Sequence, residues 1–202
     1  MQEIYFNNRE GQTVLSEAER RGIKFKHISS IAELNQLEQM NVNEGLLWLK
    51  SYRGDYLHDS FFRKLHLKLF GDVWNWAGKY RLSEKNIGIT PWKVPANINK
   101  LCDDVEFWLK NDSYSREELL ARFHHRLVYI HPFPNGNGRF SRIITGYLCI
   151  REKIKTPTWH CAMPATEKRK KYIKCLQAAD MKDFEPLIKY FKEDQLKLYS
   201  KF

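Results

Sequence analysis

The sequence predicts a mainly α-helical fold, and three observations carry that prediction. Apolar residues recur at three- and four-residue spacing through most of the chain. Ser30 with Glu33, and Ser115 with Glu118, have the spacing of capping boxes that open helices. A single stretch, Arg81 to Val94, reads as extended, because Ile87 and Ile89 alternate around Gly88 and Pro91 forbids helix.

Residues 1–30 are weakly periodic and read as an N-terminal arm packed on the body, with a short helical turn over Ser16–Arg21 ending at Gly22. From the N-cap Ser30, Ile31, Leu34, Leu37, Leu46, Leu47 and Leu49 predict one long helix to about Tyr52. Ser60–Phe70 is amphipathic, with Phe61, Leu65 and Leu69 on one stripe, and Gly71 stops it; Trp74 and Trp76 read as core. A helix over Asn97–Leu109 presents Ile98, Leu101, Val105 and Trp108, and the helix opened by Ser115 places Leu119, Phe123 and Leu127 four apart and ends near Ile130. Another runs from Arg139 to Arg151 with the pairs Ile143/Tyr147 and Ile144/Leu148 facing inward. Pro157 and Pro164 make Thr156–Pro164 a loop, and two more helices follow around Glu167–Ala179 and Phe184–Leu198. No Pro/Gly/Ser-rich linker and no repeat divides residues 31–202, which read as one domain.

With 43% hydrophobic and 29% charged residues the chain of 202 belongs to the globular class. No apolar run approaches bilayer length and Met1–Ser16 lacks the apolar core of a secretory signal, so a cytoplasmic location without a membrane partner is expected. Cys102, Cys149, Cys161 and Cys175 are far apart and form no Cys-x-x-Cys, which points to buried reduced thiols. The net charge of +10 draws nucleic acid, nucleotide or acidic partners by its field; the densest block, Lys168–Lys171 with Lys174, reads first as a solvated helix face, so nucleic acid is a partner in view but not the favoured one.

The chemistry concentrates in His131–Arg142, which reads His-Pro-Phe-Pro-Asn-Gly-Asn-Gly-Arg-Phe-Ser-Arg. A Gly-rich turn feeding a helix N-terminus offers backbone N–H groups and the positive end of the helix dipole to phosphate. Gly136 and Gly138 remove the Cβ atoms that would block close approach, Asn137 can donate, and Arg139 and Arg142 rise three apart from the first turn with bidentate guanidinium groups. His131 is the side chain here that can take a proton near neutral pH. The parts make a phosphate cradle with a base at its rim. His124 and His125 lie near His131 but lack the spacing of a standard zinc helix.

This run resembles the signature of the Fic (filamentation induced by cAMP) family, His-x-Phe-x-Asp/Glu-Gly-Asn-Gly/Lys-Arg-x-x-Arg, at every fixed position except Asn135, where the family has an acid. The flanking Phe123–Leu127 and Trp76–Arg81 agree, so the similarity covers roughly Ile31 to Leu187, and it looks closest to the small Fic-like subgroup named mobile mystery protein B. The resemblance implies a Fic-like helical bundle in which two helices flank the loop, with a β-hairpin flap beside it. Lys85, Asn86, Ile87, Gly88 and Ile89 would form that flap and align an extended target segment by backbone hydrogen bonds.

The implied activity is nucleotidyl transfer, AMP moving from ATP to a Tyr, Thr or Ser hydroxyl of a target protein, with His131 as base and residues 135–139 with Arg142 holding the phosphates. Phe133 would anchor the loop in the core. In the family the acid at position 135 holds Mg²⁺; Asn135 keeps an oxygen but brings no charge, so weaker or altered metal dependence is expected. Met40-Asn-Val-Asn-Glu44-Gly45 partly matches an inhibitory helix of the family, whose Glu pairs with the second motif Arg, although a helix-surface Glu44 is the favoured reading; an antitoxin-like inhibitory partner stays open. A Doc-like phosphotransferase is the nearest alternative, disfavoured by Gly138 where those relatives carry Lys, and a non-catalytic basic nucleotide- or nucleic-acid-binding accessory protein of a mobile element is the alternative of another class.

Overall fold

Helices account for most of the computed structural model, which describes residues 16–25, 27, 28, 30–157, 159 and 165–199. In chain order they are α1 (Glu17–Arg20), α2 (Ile31–Ser51), α3 (Asp59–Phe70), α4 (Val94–Lys110), α5 (Arg116–Ile130), α6 (Asn137–Arg151), α7 (Ala165–Asp180) and α8 (Glu185–Tyr199), with a 3₁₀ turn at Pro91–Lys93 before α4. Local chemistry explains the boundaries. The Ser16 hydroxyl and Glu19 carboxylate form a reciprocal capping box on α1, and the Ser30 hydroxyl accepts from Glu33 N to open α2. The His58 ring accepts from Phe61 N at the start of α3, and the Ser115 hydroxyl accepts from Glu118 N at the start of α5. α6 begins at Asn137, two residues earlier than expected, because Gly136 O already accepts from Phe140 N. The rest of the expected arm, residues 1–15, lies outside the described residues, as does Cys161.

The chain forms two compact units. The first contains residues up to Asp103 together with Tyr129–Phe140. Its core is the inner face of α3, where Phe61, Phe62, Leu65, His66, Leu69 and Phe70 are all buried, packed against α2. The buried face of α2 is not purely apolar: Glu38 and Asn41 share it with Leu34, Val42 and Leu49, while Leu47 is exposed. Asn41 ties α2 to the end of α3, donating to Lys68 O and the Asp72 carboxylate and accepting from Asp72 N. Trp74 and Trp76 are buried and stacked with ring centroids 4.8 Å apart, as the core reading expected. His66 is enclosed, its Nδ1 accepting from Gly78 N, so Nε2 carries the proton and donates to Asn135 O.

The second unit contains Asp104–Val128 and the chain from Ser141 onward. Phe123, Leu127, Ile144, Leu148, Leu187 and Phe191 are buried in it, and α7 packs on α8. His124 bonds the Thr145 and Tyr172 hydroxyls, and His125 bonds the Asp180 carboxylate. Of the basic block on α7, Lys171 pairs with Glu193, Lys168 and Arg169 are half-buried, and Lys170 is exposed with Lys174. Cys102 in the first unit and Cys149 and Cys175 in the second are buried thiols in no disulfide, and burial pushes Cys149 up to about 12. No helix among the described residues is long and apolar enough to cross a membrane.

One expectation is corrected. Residues 81–90 form no β-hairpin, and the described residues contain no strand, only an isolated antiparallel bridge between Ile23 and Trp74. The carbonyls of Ser83 and Ile89, which a ladder would need, accept instead from the Arg81 guanidinium. Gly88 turns the chain at φ +106°, and Pro91 starts the 3₁₀ turn. The segment is an irregular loop.

Burial sets a pH dependence. It pushes the His66 and His124 imidazoles from an ordinary 6.5 down to about 3, helped by the charge of Arg139 on His66 and of Arg142 on His124. Both are therefore neutral in the fold, and between pH 6.5 and 3 the unfolded chain binds more protons. This contribution is fully present above pH 6.5 and is lost as the pH falls. Acidification from pH 7 to 5 should cost about 2 kcal/mol for each imidazole. Urea midpoints at the two pH values check this, and His124→Gln should shrink the difference; equal wild-type midpoints would contradict it.

Candidate active site

The loop between α5 and α6 is held by donors and rings from the first unit. His131, 3% exposed, leaves α5 with φ +52°, a conformation that a non-glycine residue keeps only when its surroundings impose it. Arg81 imposes it. Its Nε donates to His131 O at 2.6 Å, its Nη2 to Ile130 O at 3.4 Å and to Ile89 O, its Nη1 to Ser83 O at 3.0 Å, and its backbone N–H to Pro132 O at 2.9 Å. Burial draws the Arg81 guanidinium below its usual pKa, against the opposing pull of Glu84 and Glu19.

The 85–89 segment meets the same point. A Cβ on Gly88 would lie 2.7 Å from His131 Cβ and 2.8 Å from Arg81 Nη2, so glycine is required for this approach as well as for the positive φ. Asn86, Ile87 and Gly88 are exposed, whereas Lys85 and Ile89 are half-buried. The Lys85 ammonium pairs with Glu19, which also accepts from Ser83 Oγ and Ser16 N. Burial opposes ionisation of Glu19, but these hydrogen bonds, led by Lys85, hold its carboxyl below the usual range.

Beyond His131 the loop is packed and internally bonded. Phe133 is fully buried, stacked on His66 at 3.7 Å and edge-on to Phe140 at 5.0 Å. Asn137 accepts from Phe133 N through Oδ1 and donates to Phe133 O through Nδ2, so both ends of its amide brace the loop. Gly136 sits at φ +76°, and a Cβ there would lie 2.8 Å from the Phe70 ring. Gly138 is exposed in the first turn of α6, where the backbone N–H groups have no acceptor one turn earlier in the helix.

The two motif arginines differ. Arg139 donates to Glu38 at 2.6 Å and lies over the Phe70 ring at 4.7 Å, with its side chain 32% exposed. Arg142 is half-buried and, among the described residues, forms no hydrogen bond or ion pair. Glu44 is exposed on α2. For a metal, the loop offers one neutral oxygen, Asn135 Oδ1, which already accepts from Gly136 N at 2.6 Å. No cluster of three or more His, Cys, Asp or Glu suited to a metal occurs among the described residues. This donor set does not fit a protein-held Mg²⁺, which favours charged oxygens.

Sequence reasoning missed Arg81, His66 and Glu38 as parts of the site. His66 and Glu38 carried a signal: each is a polar residue at the helical spacing of buried apolar residues. Arg81 carried none beyond its place in the Trp76–Arg81 segment.

Known proteins resemble the part of the chain that contains this loop. Residues 56–149 match the family model described as Fic/DOC family. The protein adenylyltransferase Fic of Aedes aegypti is 26% identical over 145 residues, covering 70% of this chain but 28% of that protein, so the chain spans about a quarter of its length. The N-terminal Fic domain of a VirB-translocated effector from Bartonella quintana superposes with a TM-score of 0.68 at 17% identity, over 90% of this chain and 97% of that one. BepC from Bartonella tribocorum, whose crystal structure contains AMPPNP, gives a TM-score of 0.69 at 15% identity, over 89% and 98%.

Arg81→Ala leaves the carbonyls of Ser83, Ile89, Ile130 and His131 without their guanidinium donor. The expected loss in urea unfolding is about 3 kcal/mol or more, and Arg81→Lys should recover only part of it, because one ammonium cannot reach all four. A loss under about 0.5 kcal/mol would show that Arg81 does not hold the loop.

Proposed function

We propose that the chain is a protein AMP transferase, a reading supported by the match of residues 56–149 to the Fic/DOC family model. The observation that carries this is His131: a buried imidazole fixed by its own backbone at the lip of a glycine-rich turn that opens a 15-residue helix. Relatives named protein adenylyltransferase and the AMPPNP-containing neighbour support ATP as the AMP donor. The finer placement, in the mobile mystery protein B subgroup, rests on the motif and its flanks.

In this reading His131 takes the proton of a target hydroxyl as its oxygen attacks the α-phosphorus of ATP; the bond to the bridging oxygen of the β-phosphate breaks and pyrophosphate leaves. The first-turn amides of α6 and the Arg139 guanidinium hold the phosphate charge. Asn135, Gly136, Asn137 and Gly138 contribute through the backbone they shape, since the Asn135 oxygen and the Asn137 amide are engaged inside the loop. Arg142, without an ion-pair partner among the described residues, is a further phosphate ligand by its place in the motif. Residues 85–89 dock the target as a loop, with Asn86, Ile87 and Gly88 exposed, Gly88 close against His131, and Lys85 paired with Glu19. No step is routed through a metal.

The test is transfer of label from α-labelled ATP to proteins of a host lysate. Wild type should label at least one protein, and His131→Ala should lower labelling about a hundredfold or more while keeping affinity for the nucleotide. Equal labelling by both would reject His131 as the base, and no labelling by either would favour a binding module.

A second measurement addresses position 135. Asn135→Asp introduces a charged oxygen, and at an effective dielectric of about 20 one unit-charge interaction at about 4 Å is worth a few kcal/mol. Transfer at limiting Mg²⁺ should rise. An unchanged Mg²⁺ dependence would mean that position 135 does not face the metal.

A further inference from the structure

We propose that Glu38 is a positioning residue for Arg139: a buried carboxylate on α2 that holds the guanidinium in the orientation needed to grip nucleotide phosphate. The inference rests on the reading that Arg139 contacts phosphate.

Glu38 is 6% exposed and occupies the helical spacing of Leu34, Val42 and Leu49, on a face where a carboxylate costs desolvation unless it is fully bonded. It is bonded through both oxygens. Oε1 accepts from Trp74 Nε1 at 2.7 Å and Oε2 from Arg139 Nη2 at 2.6 Å. Trp74 is itself buried and stacked on Trp76, so the carboxylate hangs from a fixed indole. The Phe70 ring covers the guanidinium at 4.7 Å, and Phe70 is also the ring that excludes a Cβ at Gly136. Arg139 is thus held by a carboxylate and an aromatic ring before any ligand arrives.

This arrangement immobilises Arg139 without exhausting it. Guanidinium carries five N–H donors, Glu38 receives from one nitrogen, and the side chain remains partly exposed. A free arginine must lose rotamer freedom when phosphate binds; one already held has lost it on folding, and affinity gains accordingly. Glu38 is not placed to be displaced by phosphate, since its departure would strand the buried Trp74 N–H.

The experiment is calorimetric titration of the full chain with AMPPNP, for wild type, Glu38→Gln, Arg139→Ala and the double variant. Glu38→Gln should weaken binding about tenfold, Arg139→Ala at least as much, and the double variant should bind no more weakly than Arg139→Ala alone. Should Glu38→Gln not fold, Trp74→Phe removes the indole donor and should weaken binding in the same direction by a smaller factor, again only while Arg139 is present. Unchanged or tighter binding by Glu38→Gln, with Arg139→Ala weak, overturns the positioning role alone. Additive losses in the double variant also overturn it, because a general structural role would act without Arg139. Unchanged binding by Arg139→Ala overturns the phosphate reading itself, and the positioning role falls with it.

Discussion

The site depends on one buried guanidinium. Arg81 faces carbonyl oxygens rather than a carboxylate, donating to those of Ile130, the last residue of α5, and His131 on one side and to those of Ser83 and Ile89 on the other. A helix end leaves its last carbonyls without intrahelical partners, and a cation there satisfies them and meets the negative end of the dipole. The same contact therefore ends α5, fixes His131 at positive φ and shapes the 81–90 loop around it. Desolvating the cation is costly, and the fold recovers that cost by filling all these acceptors at once.

From that point the loop needs little else. Phe133 goes into the core against His66, His66 fixes the Asn135 carbonyl, and Asn137 clasps Phe133 from the first turn of α6. The neutral state of His66 matters here, because only the neutral ring can accept from Gly78 while donating to Asn135. The amides of residues 137–139 are thereby presented from a rigid frame, which is what electrostatic stabilisation of a phosphoryl group requires.

Much of this was legible in the sequence. Helix positions followed from spacing and caps, so Leu119, Phe123 and Leu127 on α5 and Phe61, Leu65 and Leu69 on α3 are buried as their period implied. The motif located the loop, and Phe133 within it is buried. The hairpin failed because alternation of Ile87 and Ile89 describes side chains, whereas the segment's conformation is decided by where its carbonyls go, and they go to Arg81. Glu38 escaped for a related reason: a carboxylate reads as surface until the buried indole and guanidinium that need it are placed beside it. Asn137 read as a ligand donor, and only three-dimensional contact shows its amide committed to Phe133.

A crystal structure of the chain with a non-hydrolysable ATP analogue is the most direct measurement of the central claim. The expected result is a triphosphate over the first turn of α6, within hydrogen-bond distance of its amides and of Arg139, with the carbonyls of Ile130 and His131 still on Arg81. A nucleotide bound elsewhere, or Arg81 released from the loop, would contradict the account.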